Sequence, residues 1–209
     1  MYSDAKKHFK KHDPKLYAAS LEIDLDERAP SNDLYRDILW TIVGQQLSSR
    51  AADTIFERFR ALLPKGSLTP KKVLALTHEQ MRASGLSGAK ARAVHAVSKA
   101  VQDGTLVLAN ASTLSDDEIR AVLTKVKGIG PWTAEMILMF SLARPDVFSR
   151  GDLGLKKGLM VLYSLKKPPS EAWLERTVRA WSPYRTYASR ILWKLADRKS
   201  ARIARKRPR

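Results

Sequence analysis

Apolar side chains recur at three- and four-residue spacing along almost the whole chain, which places them on one face of an α-helix. After Ser48, for example, Ile55, Phe56, Phe59 and Leu62 fall on one stripe. The single stretch that resembles a strand, residues 105–108, is short and has no convincing partner. The periodicity therefore predicts an all-α protein of about ten helices.

Capping residues, glycines and prolines divide this pattern into separate helices. Ser31 or Asn32 can cap the first of them, and Thr77 with Gln80 forms a capping box for another. The predicted helices cover residues 34 to 44–46, 49–62, a short segment from 70, 78–84, 88–102, 116–127, 131–142, 153–163, 170–181 and 184–198.

The length and composition fit a folded protein with a core of its own. The chain has 209 residues, of which 44% are hydrophobic, enough for one domain or two small, closely packed ones. It contains no cysteine, which excludes disulfides, thiolate zinc sites, cysteine nucleophiles and cysteine-ligated iron–sulfur clusters. Residues 1–7 lead into no apolar signal core, so we expect an intracellular protein that is not secreted.

The excess of positive charge predicts an anionic binding partner. The formal net charge is +17, and residues 198–209 carry seven basic side chains and no acid. The rest of the chain has 31 basic and 21 acidic side chains, so it keeps a charge of about +10. The tail alone could serve solubility or localisation. Because the rest of the chain is basic too, the charge favours nucleic acid as the partner. A membrane surface is less favoured, because membrane adhesion needs a helix with an apolar face, which the tail lacks.

A glycine turn between two predicted helices is the most informative motif. In residues 126–134 (VKGIGPWTA), Gly128 and Gly130 allow backbone angles forbidden to other residues, and Pro131 suits the first turn of a new helix. Such a turn directs backbone N–H groups outward at the positive end of a helix dipole, where they can bind a phosphate. An ordinary helix corner with glycine as C-cap is the alternative.

This motif resembles the helix–hairpin–helix DNA glycosylases, which carry an aspartate about twenty residues further on, here Asp152. Residues 42–48 (IVGQQLS), 146–152 (DVFSRGD) and 181–188 (WSPYRTYA) sharpen the likeness to the DNA-3-methyladenine glycosylase II branch, which removes alkylated purines. The resemblance extends from about Leu34 to Trp193.

The resemblance implies two helical subdomains around a cleft. Residues 1–44 and 145–197 are expected to form one of them, and residues 45–144 the other, with the helix–hairpin–helix at about 116–143. Residues 198–209 are expected to be a basic tail.

The family's catalytic aspartate falls on Asp152. Arg150, Lys156 and Lys157 surround it in sequence and favour its ionised form. It also precedes a predicted helix at Leu153, so it can act as an N-cap, a role compatible with catalysis. A fixed carboxylate stabilises the positive charge that develops on the sugar when the base leaves, and it can orient or deprotonate the attacking water.

Bifunctional relatives carry a catalytic lysine where this chain has Trp132. The resemblance therefore implies a monofunctional enzyme that stops at the abasic site. The alternatives are a noncatalytic helix–hairpin–helix DNA-binding protein and a glycosylase/lyase with a different lesion preference.

The resemblance also assigns the other site residues. Gln46 or Leu47 is expected to be the wedge that fills the gap left by the flipped base. The base pocket is assigned to Trp132, Trp193, Met136 and Leu153, DNA phosphate binding to Gly128, Gly130, Trp132 and Thr133, and a monovalent cation, Na⁺ or K⁺, to the backbone carbonyls of Thr124, Val126 and Ile129.

The partners follow from the same family. We expect a monomer that acts on double-stranded DNA with damaged bases, requires no cofactor and binds no membrane. Its place would be the cytoplasm or nucleoid of a bacterium or archaeon, or the nucleus of a eukaryote.

Overall fold

The computed structural model describes residues 1–206, and the side chains of all of these except Ser49 and residues 201–206. All regular structure within that range is helical, as the periodicity predicts. The α-helices are α1 (Tyr2–His12), α2 (Pro14–Leu21), α3 (Leu34–Gly44), α4 (Ser49–Ala61), α5 (Pro70–Leu74), α6 (His78–Ala83), α7 (Gly88–Gln102), α8 (Asp116–Thr124), α9 (Pro131–Met136), α10 (Leu153–Leu162), α11 (Glu171–Ala180) and α12 (Arg185–Lys206).

Two short elements complete the list, a 3₁₀ turn at Pro64–Gly66 and a π-helical turn at Ile137–Ser141 that continues α9. Within the described residues, no helix combines the length and the apolar character needed to cross a membrane.

The structure differs from the sequence-based helices mainly at the chain ends. Helices α1 and α2 were not predicted, although Asp13 followed by Pro14 is a helix-start signal and Asp13 does cap α2, accepting from Leu16 N–H at 3.0 Å. The cap of α3 is Asp33 and not Ser31 or Asn32. The capping box of Thr77 and Gln80 is present as predicted.

The basic tail is not loose where it begins. Helix α12 continues past residue 198 to Lys206, and Arg198 on it donates to the Glu22 carbonyl at 2.9 Å. Residues 207–209 of the predicted tail lie outside the described residues.

The chain divides into two compact units. Unit 1 comprises Met1–Ala29 and Arg144–Arg209, and unit 2 comprises Pro30–Ala143. The boundary after Ala29 precedes residue 44, where the sequence-based division placed it. The reason is that α3 packs on α4 and α7 and so belongs to the central unit.

The core of unit 2 surrounds α3 and α7. Helix α3 buries Ile38, Leu39 and Ile42 against α4 and α7, and α7 contributes Val94 and Val97. Helices α5 and α6 also pack on α7, while α8 packs on α9. Helices α3 and α7 are therefore the two elements on which the other helices of unit 2 pack, except that α8 packs on α9.

The core of unit 1 is built around the packing of α10 on α12. A Cβ atom added to Gly158 of α10 would lie 2.3 Å from the Leu192 carbonyl oxygen of α12, so only glycine permits this approach. Trp181 is fully buried in the same core, and its indole N–H donates to Asp13 at 2.7 Å. Tyr163 donates to the same carboxylate, so this buried acid has partners.

A clamp fixes the segment that leads to Asp152. Asp146 accepts from Arg185 Nε at 2.7 Å and Nη2 at 2.9 Å, and from Ser182 Oγ at 2.7 Å. Thr186 Oγ1 accepts from Val147 N–H at 3.0 Å and donates to the Arg144 carbonyl at 2.7 Å. The segment that starts at residue 144 is thus attached to the beginning of α12.

Asp146→Asn should lower the free energy of unfolding more at neutral pH than in acid. Burial acts to raise the pKa of Asp146, but hydrogen bonds from Arg185 and Ser182 outweigh it and hold the pKa below the ordinary 3.8. A depressed folded-state pKa contributes stability that is present above the unfolded value and is lost as the pH falls through the folded value. Urea unfolding at pH 7 and at about pH 3 measures the difference.

Asp117→Asn is the matched control. Asp117 also pairs with an arginine, Arg120, but its side chain is 96% exposed. Exposed pairs contribute little, so this variant should stay close to the wild type at both pH values. An Asp146→Asn deficit that is equal at pH 7 and pH 3 would contradict the clamp.

Candidate functional site

The turn between α8 and α9 depends on glycine at residue 128. Gly128 has φ +98°, in the left-handed region, and a Cβ atom there would lie 2.2 Å from Ala93 Cβ on α7. Ile129 is 4% exposed, and its N–H donates to the Val126 carbonyl at 3.0 Å. The predicted special backbone angle is thus present at Gly128, and the turn is anchored in the core of unit 2.

Gly130 plays a different part from the predicted one. Its φ is −97°, an angle that any residue adopts, so the expectation of a special backbone conformation is wrong at this position. Apart from Gly130 itself and its two chain neighbours, no described residue has an atom within 4 Å of where its Cβ would be. Gly130 is the N-cap residue of α9 and provides no side-chain cap. What glycine provides here is an open surface at the start of a helix.

The Thr133 side chain does not face outward. Thr133 is buried, and its hydroxyl accepts from Gln45 Nε2 at 3.0 Å. Thr133 can therefore bind an anion only through its backbone N–H. Trp132 is half-buried on the first turn of α9, and Met136 lies one turn further on the same face, buried in unit 2.

The carbonyls assigned to a monovalent cation lie at the end of α8 and in the turn. Thr124 is the last residue of α8, where helix carbonyls lack intrahelical partners. Its hydroxyl donates back to the Arg120 carbonyl at 2.7 Å, which turns the side chain along its own helix. The described residues contain no cluster of three or more His, Asp or Glu side chains that could hold a metal ion.

The loop between α3 and α4 contains the two residues assigned to the wedge from the sequence. Gln46 and Leu47 are both exposed, Leu47 at 40%. Gln46 has φ +60°, in the left-handed region that is uncommon for a residue other than glycine. Sequence reasoning missed the preceding residue, Gln45, whose amide also donates to the Gly128 carbonyl at 3.4 Å.

Asp152 in unit 1 is the N-cap of α10, as its position before Leu153 predicts. Its Oδ1 accepts from Leu155 N–H at 2.7 Å and from Trp193 Nε1 at 2.9 Å. The residue is 9% exposed. Both donors hold this carboxylate oxygen in a fixed position at the start of α10. The structure thus brings together two residues that the sequence placed in one site, 41 positions apart.

Gly154 is a second residue that the sequence analysis did not identify. A Cβ atom there would lie 2.7 Å from Trp193 Cδ1, 2.9 Å from Trp193 Nε1 and 3.0 Å from Asp152 Oδ1. Only glycine leaves room for the indole to reach the carboxylate. The available signal was a glycine in the first turn of a helix, where it costs about 1 kcal/mol relative to alanine and so calls for a reason.

The charges near Asp152 are arranged differently from the sequence-based expectation. Arg150 forms an ion pair with Glu175, which also pairs with Arg179 at 3.4 Å. The charge of Arg150 is therefore balanced by a neighbouring acid. Leu153, assigned to the base pocket, is 70% exposed. Asp152, Leu153 and Trp193 belong to unit 1, whereas the hairpin, Trp132, Met136 and the wedge loop belong to unit 2.

Known proteins share this architecture. A profile of the family described as HhH-GPD superfamily base excision DNA repair protein matches residues 39–183. DNA-3-methyladenine glycosylase 1 of Schizosaccharomyces pombe is 36% identical over 168 residues, which cover 78% of this chain and 74% of that protein.

Two solved structures extend the comparison. The 3-methyladenine DNA glycosylase Mag1 of Schizosaccharomyces pombe in complex with abasic DNA superposes with a TM-score of 0.82 and 32% identity, over 91% of this chain and 95% of that one. A DNA-3-methyladenine glycosidase of Bacillus halodurans gives a TM-score of 0.76 and 31% identity, over 94% and 90%. The shared fold is the all-helical one predicted from the sequence.

Gly154→Ala should break the contact between Trp193 and Asp152. Alanine normally stabilises a helix relative to glycine, but here its methyl group collides with the indole, and we expect a loss of about 1–3 kcal/mol in the free energy of unfolding. The Trp193 indole N–H resonance should also shift in a ¹H–¹⁵N spectrum, because its hydrogen bond is lost.

Gly151→Ala provides the control in the same segment. Apart from Gly151 itself and its two chain neighbours, no described residue has an atom within 4 Å of a Cβ at residue 151, and its φ is not in the left-handed region. This variant should stay within about 0.5 kcal/mol of the wild type. An unchanged indole resonance in Gly154→Ala would show that the glycine does not control the contact.

Proposed function

Because the chain belongs to the HhH-GPD superfamily of base excision DNA repair proteins, we propose that it is a DNA glycosylase that releases alkylated purines from double-stranded DNA. The names of its relatives support this substrate class, since they are 3-methyladenine DNA glycosylases. The observation that carries the proposal is the Asp152 carboxylate, which two hydrogen bonds hold at the start of α10.

Asp152 would act on the sugar. As the bond between the anomeric carbon and the base nitrogen breaks, its electron pair leaves with the base and positive charge develops on the deoxyribose. A carboxylate held in place by Leu155 N–H and Trp193 Nε1 stabilises that charge without reorganising. It also orients a water molecule and takes its proton as the water oxygen bonds to the anomeric carbon. The products are a free base and an abasic site.

The same residues argue for a monofunctional enzyme. A lyase needs an amine that attacks the sugar, and Trp132 supplies none at the position where bifunctional relatives carry lysine. Lys125 and Lys127 lie before the hairpin and are exposed. A glycosylase/lyase and a noncatalytic DNA-binding protein remain the alternatives that experiment must distinguish.

Recognition of the base is assigned to indole faces. An alkylated purine is often cationic, and the face of tryptophan attracts a cation as it stacks. Trp132 and Trp193 are both half-buried, so each keeps part of its ring accessible. Leu153 offers exposed apolar surface beside Asp152, whereas Met136 is buried one helical turn after Trp132.

The hairpin is the proposed binding site for the DNA backbone. Gly130 opens the start of α9, so a phosphate can approach the backbone around residues 128–133. Na⁺ or K⁺ held by the carbonyls of Thr124, Val126 and Ile129 would add positive charge there, because uncharged carbonyl oxygens suit such ions. A protein that binds one damaged site in this way can act as a monomer.

A duplex with a single alkylated purine tests the function. Incubation with DNA that contains 3-methyladenine, 7-methylguanine or ethenoadenine, followed by hot alkali, should give a strand break only after the alkali. A break without alkali would indicate a lyase, and tight binding without base release would indicate a noncatalytic binder.

Asp152→Asn should abolish base release and leave DNA affinity within about threefold. Asparagine is as good an N-cap as aspartate, so α10 should still form, but the negative charge is lost. Loss of such a charge or base costs a factor of about 10²–10⁴ in the single-turnover rate.

Asp116→Asn is the matched control, since Asp116 also lies at the start of a helix, α8, but is not the residue that caps α10. It should release base at the wild-type rate. Wild-type activity in Asp152→Asn would rule out the proposed role of the carboxylate.

A further inference from the structure

The end of α3 is held by a lysine from α7. Lys90 Nζ donates to the carbonyls of Val43 and Gln45, each at 2.8 Å. These carbonyls lie at the negative end of the α3 dipole, where the last residues of a helix lack intrahelical partners. Burial of the ammonium lowers the pKa of Lys90, so the contact is made in a partly dry environment. The start of the α3–α4 loop is thus fixed to α7.

The side chain of Gln45 fixes the same point to the hairpin. Its Nε2 donates to Thr133 Oγ1 at 3.0 Å and lies 3.4 Å from the Gly128 carbonyl oxygen. A carbonyl can only accept, so the nitrogen of the amide must be the atom that faces the hairpin. Gln45 therefore contacts α7 through its backbone and the hairpin through its side chain.

The residues that follow are held in shape but exposed. Gln46 adopts φ +60°, a conformation that persists only where the surroundings impose it. Leu47 N–H donates to the Gly44 carbonyl at 3.1 Å, and Ser48 caps α4. The loop thus has two fixed ends and an exposed tip at Gln46 and Leu47.

We propose that Gln45 and Lys90 are positioning residues that hold the Gln46–Leu47 tip and the hairpin as one body. The wedge would then enter the duplex at a set distance from the phosphate that the hairpin binds. This inference rests on the proposed function, because it concerns how that enzyme opens its substrate. Extruding a base costs unstacking and unpairing energy, and a wedge that yields to the duplex cannot supply it.

The test compares a paired lesion with an unpaired one. Gln45→Met keeps the length of the side chain but removes both donors. Single-turnover base release should fall about tenfold or more for ethenoadenine in an intact duplex, and less than about threefold when the opposite nucleotide is an abasic analogue, since flipping then costs least. Gln102→Met, on an exposed residue at the end of α7, should change neither rate.

Lys90 gives the second arm of the test. Lys90→Met should lower the same ratio of paired to unpaired rates, and Lys90→Arg, which keeps a cationic donor, should restore much of it. Lys99→Met removes a charge from an exposed side chain of the same helix and serves as the control. If Lys90→Met does not fold, Gln45→Met and Lys90→Arg still decide the question.

A readout without base release separates this inference from the proposed function. 2-Aminopurine placed beside an abasic analogue in a duplex should brighten when saturating wild-type protein inserts its wedge, and should brighten less with Gln45→Met. If the wild type brightens 2-aminopurine more than Gln45→Met does, but releases no base, the proposed function is refuted and the positioning role is supported. Equal brightening, no brightening with the wild type, or an equal loss on paired and unpaired lesions would overturn the inference.

Discussion

The position of the Asp152 carboxylate depends on how closely α10 lies against α12. Two glycines four residues apart, Gly154 and Gly158, form the face of α10 that meets α12, and a Cβ atom at either position would overlap Trp193 or Leu192. Because of this approach, the Trp193 indole reaches Asp152 while the first turn of α10 binds the same oxygen. The acid is therefore placed by helix packing and not by a flexible loop.

Unit 2 uses one face of α7 in a comparable way. Lys90 and Ala93 lie three residues apart, so they share a face of that helix. Lys90 binds the end of α3, and Ala93 leaves room for the hairpin only because residue 128 is glycine. The hairpin and the loop with the exposed Gln46 thus depend on the same support. Contacts that resemble ordinary packing therefore determine the positions of the hairpin and of the Gln46–Leu47 tip.

The sequence predicted the fold well because helical periodicity and caps are local signals. The span of α7, the capping box at Thr77 and the N-cap role of Asp152 follow from spacing alone. What the sequence did not reveal depends on contacts between distant residues. The need for glycine at 154 arises from a tryptophan 39 positions away, and the role of Gln45 arises from the hairpin more than 80 positions away. The prediction of a special backbone angle at Gly130 was also wrong. Gly130 and Gly128 stand in the same motif, but only Gly128 adopts the left-handed conformation.

In the proposed mechanism, a fixed negative charge on Asp152 stabilises positive charge on the sugar. The most direct measurement is the affinity of the protein for a duplex that contains a cationic pyrrolidine in place of one deoxyribose, relative to the neutral tetrahydrofuran analogue. The wild type should prefer the cationic analogue by about tenfold or more, and Asp152→Asn should bind the two about equally. A preference of the same size in both proteins would contradict the account.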